Sequence, residues 1–377
     1  MKFVFYTDVH AHQFNDFSRN IQCKWDGELL EYVESDSGDI IINSRLFNIL
    51  KALTDVRDFC VANNIKLVLN GGDTFHRRSI LDVTTFNCVY RVLESYQSFG
   101  IRQIILSGNH DNVTNSDNSP SSVETFKTFA DIITEPTIVP YFDRDAEEDE
   151  EDYEHLRFCC LPWMKDRKAS LEFIDRCLNA KRVTNILVGH LGLSGAALGS
   201  SYVMSDDYSL KDLKVDKWKY VLLGHYHHPQ VLNENTIYGG SLLANNFGDV
   251  GPHGFWVIDT QKQWDLTMYE LPYPQFLTLT PETVKNYTKQ ELEFNYVRVQ
   301  TPAKDVDKVS KDLEDVGEVR LEIEKDYEHE KRSDISVTMS QEQILRTYVG
   351  ERCDSEELAK KIIDKGIEIM GKVNGVM

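Results

Sequence analysis

The sequence is poor in long hydrophobic runs and in cysteine. Among its 377 residues there is no stretch of about 18 apolar residues, so a membrane-spanning helix is not expected. The segment Met1-Lys2-Phe3 enters an apolar run without the hydrophobic region of a secretory signal peptide. The seven cysteines lack paired spacing, which is typical of reduced thiols rather than of a disulfide framework. We therefore expect a cytoplasmic protein, in the host cytoplasm if a phage encodes it.

Positive charge is also scarce. Lys and Arg number 41 against 61 Asp and Glu, which gives a formal net charge of -20. Clustered Lys and Arg usually supply affinity for nucleic-acid phosphates, so tight binding to free DNA is not expected of this chain alone. Residues 143–154 hold nine of the acids against Arg144, a composition typical of a solvated loop. Most of the affinity for DNA should therefore come from a partner, with modest contributions from the loops that carry Arg77-Arg78 and Lys165-Asp166-Arg167-Lys168.

The apolar residues that are present alternate between two patterns. Hydrophobic residues make up 41% of the chain, enough to bury a large core in more than one domain. Short apolar runs alternate with segments of helical spacing, such as Leu46-x-x-Ile49-Leu50 and Phe86-x-x-Val89. This alternation predicts an α/β fold.

Polar residues with metal-ligating side chains mostly follow directly on these short apolar runs. They occur in one order along the chain: Asp8-x-His10, Gly72-Asp73, Gly108-Asn109-His110-Asp111, Gly189-His190 and Gly224-His225-x-His227. Side chains at the ends of buried strands converge on one edge of a sheet. Each motif alone is weak, whereas the ordered set indicates a two-metal phosphoesterase site.

The residue types indicate which metals fit. Carboxylate, imidazole and amide oxygen suit manganese, iron or zinc, and no cysteine occurs at these positions. Two cations about 3.5 to 4 Å apart can activate a water for attack on a phosphoester, and one carboxylate should bridge them. Asp73 is the best candidate for the bridge, because the two glycines before it allow a sharp backbone turn.

The ordered set resembles the calcineurin-like metallophosphoesterases. Within them, Gly72-Asp73-Thr74-Phe75-His76 is similar to the motif of the SbcD and meiotic-recombination-eleven nucleases, which carry Gly-Asp-x-Phe-His or a close variant. The protein-phosphatase branch has Gly-Asp-x-x-Asp-Arg, which His76-Arg77 does not match. The motifs cover about residues 1 to 260 and favour the nuclease branch.

The resemblance implies a sandwich of two mixed sheets faced by helices, in the order α/β/β/α. It also implies a division of the metal ligands. Besides the bridging Asp73, one metal would be held by Asp8, His10 and His227, and the other by Asn109, His190 and His225.

The same resemblance implies roles for two further histidines. His110 would be the general acid that protonates the leaving oxygen, because it adjoins the ligand Asn109. Asp111 would orient His110 or its neighbours, or else be purely structural. His76 would contact the bound phosphodiester, and the alternative is a partly exposed loop histidine. We expect His12 and His228 to line the rim and His253 to be solvated.

The implied activity is that of a manganese-dependent DNA nuclease, an exonuclease with single-strand endonuclease activity as a further possibility. Such a nuclease would act as a homodimer with an SbcC-like coiled-coil ATPase in DNA end processing, repair or recombination. A phosphomonoesterase or protein phosphatase of the same superfamily is the alternative, because the same metal site serves both chemistries.

Three segments are expected along the chain. Residues 1–275 would form the nuclease domain, which ends near Leu271-Pro272-Tyr273-Pro274. Residues 276–333 would form a small cap, because 296–299, 306–316 and 318–323 show a β-α-β pattern. Residues 334–377 would form two amphipathic helices, opened by a capping box at Ser340 and by Ser355. Their apolar face would pack on the cap or dock on the ATPase.

Some local expectations concern turns and strand pairing. Residues 31–42 should form a hairpin, and Gly350 should end the first C-terminal helix. The apolar runs 236–238, 254–259 and 264–269 should be strands that close the second sheet. The loops 239–241 and 247–249 should lie near the metals.

Overall fold

The computed structural model describes residues 1–34, 38–141, 155–179, 183–198, 202–203, 208–316, 319–323, 341–353 and 355–374. The chain divides into two compact units, one of Met1–Gln300 with Asp307–Glu322 and one of Thr301–Val306 with Ile323–Met377. The three segments predicted from the sequence remain a proposal. The acidic block 143–154 and the predicted cap residue Ser340 lie outside the described residues. No helix in the described part of the chain combines the length and apolarity needed to span a membrane.

The first part of the chain alternates strands and helices. Its elements are β1 (Lys2–Tyr6), β2 (Asn20–Asp26), β3 (Leu29–Tyr32), β4 (Ile40–Asn43), α1 (Ser44–Ala62), β5 (Leu67–Asn70), α2 (Val83–Ser98), β6 (Arg102–Leu106), β7 (Asp131–Ile133) and β8 (Thr137–Tyr141). The Asn43 side chain accepts the backbone N–H of Arg45 and so caps α1, and Asp82 caps α2 in the same way. Both predicted helices are confirmed.

The second part completes the sandwich and adds the smaller elements. These are β9 (His155–Leu161), α3 (Arg167–Leu178), β10 (Val183–His190), β11 (Ala197–Leu198), β12 (Tyr202–Val203), β13 (Tyr220–Gly224), β14 (Gln230–Asn233), β15 (Thr236–Tyr238), β16 (Gly254–Asp259), β17 (Asp265–Glu270), β18 (Phe276–Leu279), α4 (Lys289–Phe294), β19 (Tyr296–Thr301), α5 (Val306–Asp312), β20 (Val319–Ile323), α6 (Gln341–Arg352) and α7 (Glu356–Asn374).

Two sheets form the centre of the fold. The first has the strand order β17-β16-β1-β5-β6-β7 and the second β14-β15-β13-β10-β9-β8. The strands β1, β5 and β6 run parallel to one another, as do β10 and β13. The predicted two-sheet sandwich is confirmed. One expectation was wrong, because β16 pairs with β1 and so joins the first sheet together with β17.

The side chains of each strand alternate between two cores. On β1, Phe3 and Phe5 point between the sheets and pack in the cluster that contains Phe158 of β9. Val4 and Tyr6 point the other way, into the cluster shared with α1 and α2. A third cluster packs α3 against the second sheet through Phe173. The layers are therefore α/β/β/α, and burial on both faces explains the continuous apolar runs of these strands.

The segment after β1 forms a small sheet of its own. Its order is β3-β2-β4, so both β3 and β4 pair with β2. The hairpin predicted over residues 31–42 was therefore wrong in its pairing, since β3 and β4 lie on opposite sides of β2. Ile21 and Cys23 of β2 are buried, and a period-2 pattern there indicates the strand that the prediction missed.

The predicted cap contains a sheet of order β18-β19-β20. The β-α-β pattern at 296–323 is confirmed as β19, α5 and β20. The strand β18 was not predicted, and it runs parallel to β19. Val297 and Val299 of β19 are fully buried in the cap core.

The C-terminal elements α6 and α7 belong to the second compact unit. The predicted stop at Gly350 was wrong, because α6 continues to Arg352. Gly350 does not have a positive φ, so its backbone is not in the left-handed region that ends many helices. One glycine within a helix is tolerated. The Ser355 hydroxyl accepts the Leu358 N–H at 3.4 Å, as expected of a cap for α7.

Candidate metal centre

The structure brings all seven predicted ligands to one edge of the sandwich. Asp8 and His10 follow β1, Asp73 follows β5, Asn109 follows β6, His190 ends β10, and His225 and His227 follow β13. Parallel strands place their carboxyl ends on one side, so these loops meet. The assignment of ligands remains a proposal, and their convergence is a structural fact.

The first group surrounds His10. Its Nε2 atom lies 2.9 Å from Nε2 of His227 and 3.8 Å from Oδ1 of Asp8. The Thr7 hydroxyl donates to Oδ2 of Asp8 at 2.7 Å and orients that carboxylate. Asp8, His10 and His227 are close enough together to hold one metal ion. This grouping matches the first proposed metal site.

The second group surrounds Asn109. Its Oδ1 atom lies 3.1 Å from Nε2 of His190 and 3.0 Å from Nδ1 of His225. Amide oxygen and imidazole nitrogen are ligands that manganese, iron and zinc accept. This grouping matches the second proposed metal site.

Asp73 lies between the two groups. Its Oδ2 atom is 3.7 Å from Nε2 of His10 and 3.4 Å from Nε2 of His190. Its Oδ1 atom accepts the backbone N–H of His110 at 2.7 Å, which fixes the carboxylate in this orientation. The position is the one required of a bridging ligand.

The hydrogen bonds of two histidines show that cations fit here. His190 donates its Nδ1–H to the Gly71 carbonyl at 2.8 Å, so its Nε2 lone pair faces the oxygens of Asn109 and Asp73. His227 likewise donates its Nδ1–H to Asp249 at 3.2 Å and directs Nε2 at His10. Lone pairs that converge in this way repel one another unless a cation lies among them. The donor set therefore fits two divalent ions.

The local charges favour positive charge at the same places. Burial would lower the pKa of His190, but the neighbouring Asp73 raises it to about 9. At His227, burial would again lower the pKa, but the hydrogen bond to Asp249 raises it to about 9. Burial also acts to raise the pKa of Asp73, but the imidazoles of His190 and His10 hold it below its usual range. A divalent cation can replace the proton that these rings would otherwise take up.

Four of the predicted ligands have a backbone conformation that L-residues rarely adopt. The φ angles are 52° at Asp8, 48° at His10, 53° at Asp73 and 103° at His225. Each such residue costs roughly 1–3 kcal/mol and persists only where the surrounding structure enforces it. Asp, Asn and His tolerate this region better than most residues. In the described part of the chain, four of the nine non-glycine residues with positive φ are therefore predicted ligands.

Glycines allow the loops to approach closely. A Cβ atom at Gly108 would collide with the Asp73 carboxylate, and one at Gly224 would collide with the Thr7 hydroxyl. Gly72 has a φ of 108° and lies against the His190 ring, where a Cβ would come within 2.6 Å of Nδ1. These glycines are required by the geometry of the site.

The predicted catalytic histidines border the first group of ligands. His10 lies edge-on to His76 and His110, at centroid distances of 5.4 and 4.9 Å. His76 stacks on His110 at 5.7 Å and on His12 at 5.4 Å. Whereas Asp8 and His190 are inaccessible to solvent, His76, His110 and His227 are half-buried. These rings form the open side of the site, where a substrate would enter.

The tautomer of His110 is set by a backbone carbonyl. Its Nδ1 atom lies 2.6 Å from the His76 carbonyl oxygen, which can only accept, so Nδ1 carries the hydrogen. Any proton that His110 passes to a substrate must therefore come from Nε2. Burial lowers the pKa of His76 to about 4, so that ring is neutral at pH 7.

Asp111 is structural rather than an orienting partner of His110. It is fully buried, and its carboxylate accepts the backbone N–H groups of Gly108, Thr74 and Phe75 at 2.9 to 3.2 Å. Burial and the charge of Asp73 together raise its pKa to about 7, against the lowering effect of these hydrogen bonds. Asp111 thus joins the loops that carry Asp73 and Asn109.

Two buried residues near the centre were not named among the predicted site residues. Asp249 orients His227, and it belongs to the loop at 247–249 that was predicted to lie near the metals. His253 was predicted to be solvated, which was wrong: it is fully buried, with Nδ1 3.0 Å from the Ser241 hydroxyl and 3.1 Å from the Ser241 carbonyl. Neither residue belongs to a recognisable motif. Asp249 could have been found only from the rule that a ligating histidine needs a hydrogen-bond partner for its other ring nitrogen.

Replacing Asp249 with Asn should weaken manganese binding at the first group of ligands by about 10- to 100-fold, because the charge that orients His227 is lost. Calorimetric titration of the purified protein measures this affinity. Asp216→Asn, which removes a carboxylate that is 71% exposed, should leave it unchanged. Equal manganese affinity in the two variants would show that Asp249 has no such role.

The comparison with protein families agrees with this geometry. The model of the calcineurin-like phosphoesterase family matches residues 1–229, which is more than half of the chain. The chain is 31% identical over 97 residues to the SbcD component of the nuclease SbcCD of Staphylococcus epidermidis, a match that covers 24% of this chain and 26% of that protein. The matched segment therefore spans about a quarter of the curated relative.

Solved structures with similarity to the chain include two of low identity. One is GAP50, the anchor in the inner membrane complex of Plasmodium, at 11% identity and a TM-score of 0.40, covering 72% of this chain and 89% of that one. The other is a dimetal phosphatase from Danio rerio, at 10% identity and a TM-score of 0.38, covering 68% and 91%.

Proposed function

The chain belongs to the calcineurin-like phosphoesterase family, and we propose that within this family it is a two-metal DNA nuclease. Membership implies a metal-dependent hydrolase of phosphoesters. The nuclease assignment is supported chiefly by His76, whose ring stacks on His110 and which stands at the position of the Asp in the Asp-Arg pair of the protein-phosphatase branch. The similarity of a quarter of the chain to a nuclease component supports it further.

The chain's residues would divide the chemistry as follows. Asp8, His10, Asp73, Asn109, His190, His225 and His227 would hold two divalent ions, which we propose to be manganese. Such ions, when bound, neutralise phosphate charge and supply a nucleophilic water at neutral pH. His110 would donate a proton from Nε2 to the leaving oxygen. His76, neutral beside it, would contact the phosphodiester and limit where the phosphate can lie.

Small substrates separate the proposed activity from the alternative phosphatase activity. We expect the manganese-loaded protein to hydrolyse bis(p-nitrophenyl) phosphate at least about tenfold faster than p-nitrophenyl phosphate, because His76 should receive a diester. Initial rates at equal substrate concentrations test this. A protein that prefers the monoester would instead be a phosphomonoesterase, and the nuclease proposal would fail.

We further propose that the nuclease works as a homodimer with an SbcC-like ATPase in DNA end processing, repair or recombination. The net charge of -20 supports dependence on a partner, because the chain offers few cations to a nucleic acid. The partner would bind α7, on which Leu358 and Ile369 are each 52% exposed and Ile362 is 42% exposed. Half-exposed apolar side chains on one helix face suit a helical partner.

Changing Leu358 and Ile362 to Glu should abolish co-purification with the ATPase, because charges would replace apolar anchors at the centre of the interface. Manganese-dependent cleavage by the isolated nuclease should survive. The control changes Lys360 and Lys361 to Glu, which adds acidic side chains on the same helix and should leave pull-down intact.

The competing explanation is that this face packs within the protein. The Leu358 and Ile362 variant should then lose several degrees of thermal stability without any partner present. Melting curves and pull-downs on one preparation distinguish the two. A destabilised variant that still captures the ATPase would exclude docking through α7.

A further inference from the structure

Two loops near the metal centre each carry a phenylalanine that is not one of the proposed catalytic residues. Phe17 lies on the segment that follows His10, and Phe247 lies two residues before Asp249, the partner of His227. Both rings are half-buried, and they contact each other at a centroid distance of 5.2 Å and an angle of 72°. The pair therefore lies on loops that lead from the metal centre, and part of its surface is open to solvent.

The backbone at Phe17 is strained. Its φ angle is 54°, in the left-handed region where a bulky side chain is rare. The ring is held there by edge contacts with Phe247 and with the buried Phe276 of β18, the latter at 6.1 Å. Conformations of this kind concentrate at binding and catalytic sites, where the surrounding structure enforces them.

An arginine completes the cluster. The guanidinium of Arg298, on β19, lies 4.3 Å from the Phe247 ring centroid. It is held by a 2.9 Å hydrogen bond to the Thr278 hydroxyl and by a 3.2 Å ion pair with Glu322. The Arg298 side chain is 27% exposed, so it is partly accessible to solvent beside the rings.

We infer that Phe17, Phe247 and Arg298 form a stacking subsite for the unpaired bases of a single DNA strand. Proteins that hold single strands without sequence preference combine aromatic rings, on which bases stack, with cations that attract the backbone. The subsite rests on the proposed nuclease function and specifies the form of its substrate: a strand whose bases are free beside the cleavage position.

The charge of the chain favours this form of binding over duplex binding. With a net charge of -20, phosphate contacts alone supply little affinity, whereas stacking on rings does not depend on net charge. In a duplex the faces of the bases are covered by their neighbours, so the rings could not reach them. A frayed or unwound end offers those faces.

Equilibrium binding tests the subsite without relying on cleavage. Fluorescence anisotropy of a labelled single strand of about 12 nucleotides, with calcium in place of manganese, gives a Kd for each variant. Phe17→Ala and Phe247→Ala should each raise the Kd about tenfold, while Phe247→Trp should restore it because a ring is kept. The control Phe294→Ala removes a ring that is 51% exposed on α4 and should leave the Kd unchanged.

A second oligonucleotide with abasic sugars at its centre separates stacking from simple destabilisation. Wild-type protein should bind the abasic strand about as weakly as Phe247→Ala binds the normal strand. On the abasic strand, the Phe247→Ala change should therefore raise the Kd little further. Unchanged Kd values in both alanine variants, or equal losses on normal and abasic strands, would overturn the subsite. Wild-type protein that cuts no DNA with manganese would overturn the proposed function instead, so the two failures are distinguishable.

Discussion

Replacing Asp73 with Asn should abolish phosphodiester hydrolysis and leave at most one manganese ion bound per chain. The carboxylate faces both groups of ligands, at 3.7 Å from His10 and 3.4 Å from His190. An amide keeps the shape and can still accept the His110 N–H, but it lacks the negative charge that two cations share. We expect a loss of about 10³-fold or more, since the reaction needs both ions.

Metal analysis and single-turnover cleavage on the same preparation measure this effect. The matched control is Asp131→Asn, which removes a carboxylate that is 45% exposed and pairs with Arg102 on the first sheet. It should retain two ions and full activity. Two bound ions and normal hydrolysis in Asp73→Asn would exclude the bridging role.

Replacing His110 with Ala should slow DNA cleavage by about 10²- to 10⁴-fold while both ions stay bound, because the ring supplies a proton rather than a ligand. The backbone N–H that holds Asp73 remains in the variant, so the carboxylate should keep its position. Cleavage of end-labelled DNA at saturating manganese measures the loss.

The choice of substrate distinguishes proton donation from a structural role. Bis(p-nitrophenyl) phosphate has a leaving group that departs without a proton, so the variant should lose much less activity on it than on DNA. Losses of the same size on both substrates, or wild-type cleavage of DNA, would contradict the assignment of general acid to His110.

The order of strands and ligands was predictable because it depends on local patterns. The runs before Asp8, Asp73, Asn109 and His225 are apolar and short, and the structure has a strand at each. Burial on both faces is what makes such runs visible in a sequence. The helices α1 and α2 were equally visible through their spacing.

The membership of strands in sheets was less predictable, because pairing is a long-range choice. Trp256 and Ile258 of β16 pack in the core between the two sheets. Their hydrophobic pattern would be the same in either sheet, so it could not show that β16 pairs with β1. The hydrophobic pattern of β3 and β4 likewise could not show that both strands pair with β2 rather than with each other.

The details of the metal centre also lay beyond the sequence. Nothing in the motifs indicates that Asp8, His10 and His225 have positive φ angles, since the strain is enforced by tertiary contacts. The contact between His110 and the His76 carbonyl involves a backbone atom, which no sequence pattern specifies. The sequence could indicate which residues converge, whereas their orientation required the fold.

A manganese titration of the purified protein tests the two-metal nuclease proposal most directly. Native mass spectrometry and cleavage of end-labelled DNA are followed on each sample. We expect cleavage to rise with the species that holds two ions, and EDTA to abolish both together. Cleavage that persists in EDTA, or a protein with two ions that leaves DNA intact, would contradict the proposal.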